Sequence, residues 1–333
     1  MTLTQVAIIT RRGVLTFVAL LILGTVSAIG YRVWYDYYQS TLPPVEEKPD
    51  LKFGTLPKIA FPKSVISSSN YSYSIDTETG SFSQMPKIIK VYFIPRANVV
   101  SLLAPDESQK LAARFGFNSP REVLNPTTYQ YKDNKNNLFT IDLISGNFNY
   151  QKQNATPSAK IDPVFIDQNQ LVDTLKGFLR GNGVLNDDLA SGRNKVIYNK
   201  NTPNNSNSAF ITLWPSDLDG LQIVTSSSSA GLINATVTNT NNELNRFPIL
   251  NYIYWQIDKT TFATYPLQPI ENAFAQLQSG QGYVTQVPQN AKVSITKNYL
   301  AYFESEEYSP YLQPVYVFEG PNFTGLVPAI KSD

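Results

Sequence analysis

Near the N-terminus the apolar positions form one block, whereas further along they alternate with polar ones. Gly13 to Tyr31 reads GVLTFVALLILGTVSAIGY, 19 residues without a charge. At about 1.5 Å per residue such a helix spans roughly 28 Å, close to the roughly 30 Å hydrocarbon thickness of a bilayer. The pattern predicts a short tail over 1–12 and a transmembrane helix over 13–34. Residues 35–64 carry Pro43, Pro44, Pro49, Pro57 and Pro62, which break helices and central strands. That stretch is expected to be a stiff spacer, with Leu56–Phe61 packed on the following domain as the alternative.

From residue 65 the period shortens. Tyr71–Ile75 alternates, and Ile88–Ile94 is rich in strand formers and stops at Pro95. Pro105-Asp106-Glu107 opens a helix with Arg114 in its last turn and Gly116 at its stop. Strands near Thr128–Lys132, Leu138–Leu143 and Phe148–Tyr150 follow, separated by Asn/Asp/Gly turns. A second helix runs from the Asp167 cap to Arg180, with Leu171, Leu175 and Phe178 on one face. Further strands are expected near Val196–Tyr198, Phe210–Trp214, Leu221–Val224 and Ile249–Ile257. A third helix over Pro269–Gln278 precedes strands near Val293–Phe303, Leu312–Phe318 and Leu326–Ile330. The fold class read from this order is α+β: antiparallel sheets, each with a helix on one face, the unit repeated two or three times. The polar stretch around Gln151–Ile161 marks a boundary between a unit at 65–155 and a larger one at 156–333.

Composition narrows the chemistry. The 333 residues hold 27 Lys+Arg against 26 Asp+Glu, and no Cys or His. A nucleic-acid binder normally shows a basic excess, so none is expected as a partner. Disulfides, thiol nucleophiles, Cys/His zinc sites and His-based triads are excluded. No cofactor and no metal site is expected; Asp217, Asp219 and Asp187-Asp188 lack the twelve-residue pattern of a calcium loop. No Ser-x-x-Lys motif sits on a helix, and Gly181-Asn182-Gly183 and Gly280-Gln281-Gly282 follow helices instead of opening them. No catalytic residue is assigned.

Arg11 and Arg12 before the apolar block, and Arg32, Trp34 and Tyr35 after it, are the expected membrane-interface residues. The layout predicts a single-pass protein of the cell membrane, N-terminus cytoplasmic and C-terminal domain extracytoplasmic. Val26-Ser27-Ala28 offers a signal-peptidase site, and Thr10–Leu15 a twin-arginine export pattern, as alternatives. Tyr302, Glu304, Glu306, Tyr308 and Tyr311 are the candidates for a binding surface. Tyr gives large contact area with few rotors, and Glu304 and Glu306 would share a strand face roughly 7 Å apart.

Two segments carry a family resemblance. The helix ending LAARFGF, followed by TTYQYKDNKNNLFTIDLISGNFNY, is similar to PepSY-type units. IENAFAQLQSGQGYV, KVSITKNYLAYFES, YLQPVYVFEG and LVPAI resemble the C-terminal half of YycH/YycI-type regulators. Those are single-pass membrane proteins whose extracytoplasmic head is built from helix-plus-sheet units. The resemblance implies binding and restraint of a membrane sensor kinase. The functional expectation is a non-catalytic, membrane-anchored extracytoplasmic protein that binds another protein. The alternative is a cell-envelope glycan-binding module or a carboxylate-dependent hydrolase.

Overall fold

The computed structural model describes residues 3–41, 48–63, 66–152, 167–200, 206–238, 246–288 and 290–330. It divides into a unit at Met1–Lys48 and a unit at Pro49–Asp333. The first is the single helix α1 (Leu3–Thr41). Within it, Gly13–Tyr35 has a mean hydropathy of 2.2 and no buried residue among those described, so the helix is long and apolar enough to cross a membrane. Arg32, Trp34 and Tyr35 are exposed on it, and the side chains of Arg11 and Arg12 lie outside the described ones. Tyr31 stacks on Tyr35 and Trp34 on Tyr38, one turn apart. The helix continues through Thr41, so residues 35–41 are not spacer.

The second unit is mostly sheet. In chain order it holds β1 (Ser72–Ile75), β2 (Ile88–Phe93), α2 (Ala104–Arg114), β3 (Arg121–Asn125), β4 (Thr128–Lys132), β5 (Leu138–Asp142) and β6 (Phe148–Gln151). Then come α3 (Gln168–Gly181), α4 (Asp187–Ser191), β7 (Asn194–Tyr198), β8 (Ser208–Leu213), β9 (Ile223–Val224), β10 (Ile233–Thr238) and β11 (Ile249–Tyr252). It closes with β12 (Asp258–Pro266), α5 (Ile270–Gln278), β13 (Tyr283–Gln286), β14 (Lys292–Ile295), β15 (Lys297–Phe303), β16 (Tyr311–Gly320) and β17 (Phe323–Pro328).

One sheet has eight antiparallel strands in the order β3-β4-β5-β6-β11-β10-β8-β7. Its inner face packs with α2, α3 and α4 around Phe115, Phe139, Leu175 and Leu189. A seven-stranded sheet runs β12-β2-β16-β15-β9, with β17 on β16 and β13 on β17. The α5 side chains Ile270, Ala273, Phe274 and Leu277 join its main core. Two pairings are parallel, β15 with β9 and β1 with β14, so the sheets are not antiparallel throughout. The division at 155/156 does not separate two units. β6 pairs with β11, and β2 with both β12 and β16, across that point. A polar loop in sequence is no domain boundary when the strands on either side of it pair.

The second half of the expected spacer belongs to the head. Asp50 and Thr264 exchange hydrogen bonds of 2.9 and 2.8 Å. Leu56 is buried, and Gln313 Nε2 donates to the Pro57 carbonyl at 2.8 Å. Phe61 stacks on Tyr283 at 5.2 Å and meets Phe303 edge-on. Ile59 and Phe61 thereby cover Ala301, Phe303, Val315, Val317 and Leu326, a second buried layer on β15–β17. This covering makes β16 an almost continuous run of buried positions, as expected of a strand packed on both faces.

Candidate functional site

Six of the eight strands of the larger sheet place one polar residue each in line. In six strands a single amide or hydroxyl side chain sits between two apolar ones: Tyr129-Gln130-Tyr131, Phe139-Thr140-Ile141, Phe148-Asn149-Tyr150, Leu250-Asn251-Tyr252, Ile233-Asn234-Ala235 and Ile211-Thr212-Leu213. Alternation turns the apolar neighbours inward and the polar residue to the outer face, where Thr212 at the end of the row is nonetheless fully buried, bonded to the Gly231 amide and the Ile233 carbonyl. The register then puts the polar members opposite one another: Gln130 faces Thr140, Thr140 faces Asn149, Asn149 faces Asn251, Asn251 faces Asn234, and Asn234 faces Thr212.

At the centre of this row the outer face forms the floor of an open cleft of about 390 Å³. Thr140, Asn149 and Asn251 line it, with Thr128, Asp142 and Asn147 beside them and Arg96, Trp255, Glu306, Glu307 and Tyr308 on the rim. Much of the lining is held in place. Asp142 Oδ1 accepts from the Ser145 amide and hydroxyl, each at 2.7 Å. Asn147 Oδ1 accepts from the Tyr254 amide at 2.9 Å, and Asn251 Nδ2 donates to the Leu232 carbonyl at 3.1 Å. Gln130 Nε2 donates to Thr140 Oγ1 at 3.2 Å. Among the described residues no hydrogen bond engages Asn147 Nδ2 or Asn251 Oδ1. The exposed Asn149 amide makes no hydrogen bond among the described residues.

The rim aromatics are pinned by their polar ends. Trp255 Nε1 donates to the Ser305 carbonyl and Tyr308 OH to the Ile94 carbonyl, both at 2.8 Å. Their rings lie 5.5 Å apart, and the Arg96 guanidinium sits 4.9 Å from the Tyr308 ring centre.

The five candidate surface residues separate. Glu306 and Tyr308 reach the cleft. Tyr311 is half-buried and stacks on Phe53 at 4.7 Å, against the 49–63 segment. Tyr302 and Glu304 are not on the surface, at 0% and 3% exposure. Tyr302 lies in the main core beneath Tyr92, its OH donating to the Lys90 carbonyl at 3.0 Å. Glu304 follows β15 on the β9 side, its amide donating to the Val224 carbonyl at 2.8 Å. It is buried near Asp188, whose oxygens accept from Tyr254 OH at 3.0 and 2.9 Å. Burial first, then the Asp188 carboxylate, pushes the Glu304 carboxyl up to about 8.

Of the acids considered for calcium, Asp219 accepts from Tyr92 OH and pairs with Lys90 at 3.1 Å. Asp217 lies 3.9 Å from Arg193. Among the described residues no group of three or more Asp, Glu, His or Cys side chains is placed to hold a metal ion.

Among the described residues the sheet ends at β3, which pairs only with β4. All five residues of β3 are exposed, Val123 at 59% and Leu124 at 48%. Val99, Leu102 and Leu103, before α2, are exposed at 75%, 97% and 63%.

No family model matches the chain, and no curated protein matches it. Among solved structures it is similar to an uncharacterized protein from Eubacterium rectale ATCC 33656, with a TM-score of 0.38 and 11% identity over 74% of this chain and 85% of that one.

Proposed function

We propose that the chain is a non-catalytic, membrane-anchored protein whose α+β head lies outside the cytoplasm and binds another protein through the open edge of the eight-stranded sheet. The observation that supports this reading is β3, an edge strand exposed at every position and carrying two large apolar side chains. An unpaired strand edge is a template for an extended segment of a partner, which adds main-chain hydrogen bonds while Val123 and Leu124 gain apolar cover. α1 serves as the anchor. The resemblance to YycH/YycI-type regulators suggests a membrane sensor as the partner class. The hydrolase alternative rests on Glu304 and Glu306 as a pair on one strand face, and those two do not meet one substrate, since Glu304 is buried and Glu306 exposed.

A photo-crosslinking residue at Val123 is expected to give one discrete protein adduct in intact membranes. The same residue at the exposed Glu78 gives none. Val123→Lys, which puts a charge where the partner's apolar surface would close, is expected to weaken partner recovery about tenfold. Equal adduct patterns from positions 123 and 78, with recovery indifferent to the lysine, would refute the edge as the binding surface.

A further inference from the structure

We infer that the cleft on the outer face of the eight-stranded sheet is a second binding site, distinct from the β3 edge, for a neutral glycan chain. Three observations converge on that ligand. The floor is made of Thr140, Asn149 and Asn251, side chains that both donate and accept, as sugar hydroxyls do. Among the described residues nothing engages the Asn149 amide, and Asn251 keeps its side-chain carbonyl without a donor. Because these groups project from hydrogen-bonded strands, little ordering entropy is lost when they bind.

The charge excludes polyanions. Arg96 stands alone against Asp142, Glu306 and Glu307 around the cleft, so phosphate- or sulfate-bearing chains would be repelled where a neutral chain is not. The rim supplies flat apolar surface. Trp255 and Tyr308 have their polar ends tied down, leaving ring area to lie against the C–H-rich faces of pyranose rings.

The spacing of the floor also suits a chain of sugars. Thr140, Asn149 and Asn251 stand on adjacent strands in direct register. Neighbouring strands are about 4.8 Å apart, close to the advance per residue of an extended glycan, so successive units would each meet one amide or hydroxyl. An extended peptide fits less well. On a sheet face the backbone groups are already paired, and a peptide strand adds at an edge.

The test uses the full chain in detergent micelles with three probes: a chito-oligosaccharide of four to six units, a cello-oligosaccharide of the same length, and dextran sulfate. Binding is followed by calorimetry and tryptophan fluorescence. The expected result is saturable binding of at least one neutral oligosaccharide, insensitive to added salt. Asn149→Ala is expected to weaken it roughly five- to tenfold, the value of one or two lost hydrogen bonds. Its unfolding midpoint should match the parent chain's, since Asn149 is exposed and unbonded. Binding of neither neutral oligosaccharide overturns the inference. So does equal affinity of the parent and the Asn149→Ala chain, or preference for dextran sulfate. An adduct captured from Val123 leaves this result untouched, since it reports on the sheet edge alone.

Discussion

Exchanging Glu304 for Gln is expected to stabilise the head by about 3 kcal/mol at pH 7 and to have no such effect at pH 4. The reason is the raised carboxyl. Burial and the neighbouring Asp188 move Glu304 from the usual 4.5 to about 8 in the folded chain. Below pH 4.5 the group is protonated in both states and costs nothing. Between 4.5 and 8 the unfolded chain ionises Glu304 while the folded one retains the proton. Each pH unit across that window then removes about 1.4 kcal/mol of stability. Above 8 both states are ionised and the loss levels off. Gln keeps the shape without titrating, so its advantage should grow over this window and then stay constant. Urea unfolding of both chains at pH 4, 7 and 8.5 measures the difference. A constant difference at all three values, or a less stable variant at pH 7, would show that Glu304 does not titrate in this way.

Replacing Phe139 with Ala should cost about 4 kcal/mol. Phe139 is fully buried on β5 and meets the rings of Phe115, Phe117, Tyr131, Phe148 and Tyr150 at centroid distances of 5.8, 5.5, 6.1, 5.1 and 6.4 Å. Removing a buried Phe typically costs about 3–5 kcal/mol, a range that already contains the lost ring contacts and the remaining cavity. Phe139→Leu, which refills most of the volume, should cost about half as much. Thermal unfolding of the two variants reads this, and equal losses would argue against an aromatic hub at this position.

The local pattern of the chain was legible, and its long-range closure was not. α1, α3 and α5 follow from an apolar block and from Leu171/Leu175 and Ile270/Phe274/Leu277 spacings. The Asp167 cap is seen in the structure, its side chain accepting from the Asn169 amide at 2.9 Å. The turns at Asp133–Asn137 and Ser145–Asn147 likewise foretell the β4–β6 meander. β3, β10, β12 and β13 are not among the strands expected from the sequence. β3 buries nothing, and the first four residues of β12, Asp258-Lys259-Thr260-Thr261, present no apolar position.

The candidate site was half legible. Glu306 and Tyr308 stand where an aromatic and acidic cluster was expected. Tyr302 and Glu304 do not: Tyr302 falls on the face of β15 that packs into the main core beneath Tyr92, and Glu304, just past the strand end, is buried near Asp188. The amide row was present as six apolar–polar–apolar triplets. Only the pairing of β6 with β11, some hundred residues apart in sequence, turns those triplets into a surface.

The account rests on α1 holding the head on the far side of a membrane, and single-cysteine labelling tests this directly, because the chain has no cysteine of its own. Glu78→Cys, on the head, should react with a membrane-impermeant maleimide in intact cells. Thr4→Cys, at the start of α1, should react only after lysis. Labelling of position 78 only after lysis, or recovery of the uncleaved chain in the soluble fraction, would contradict the account.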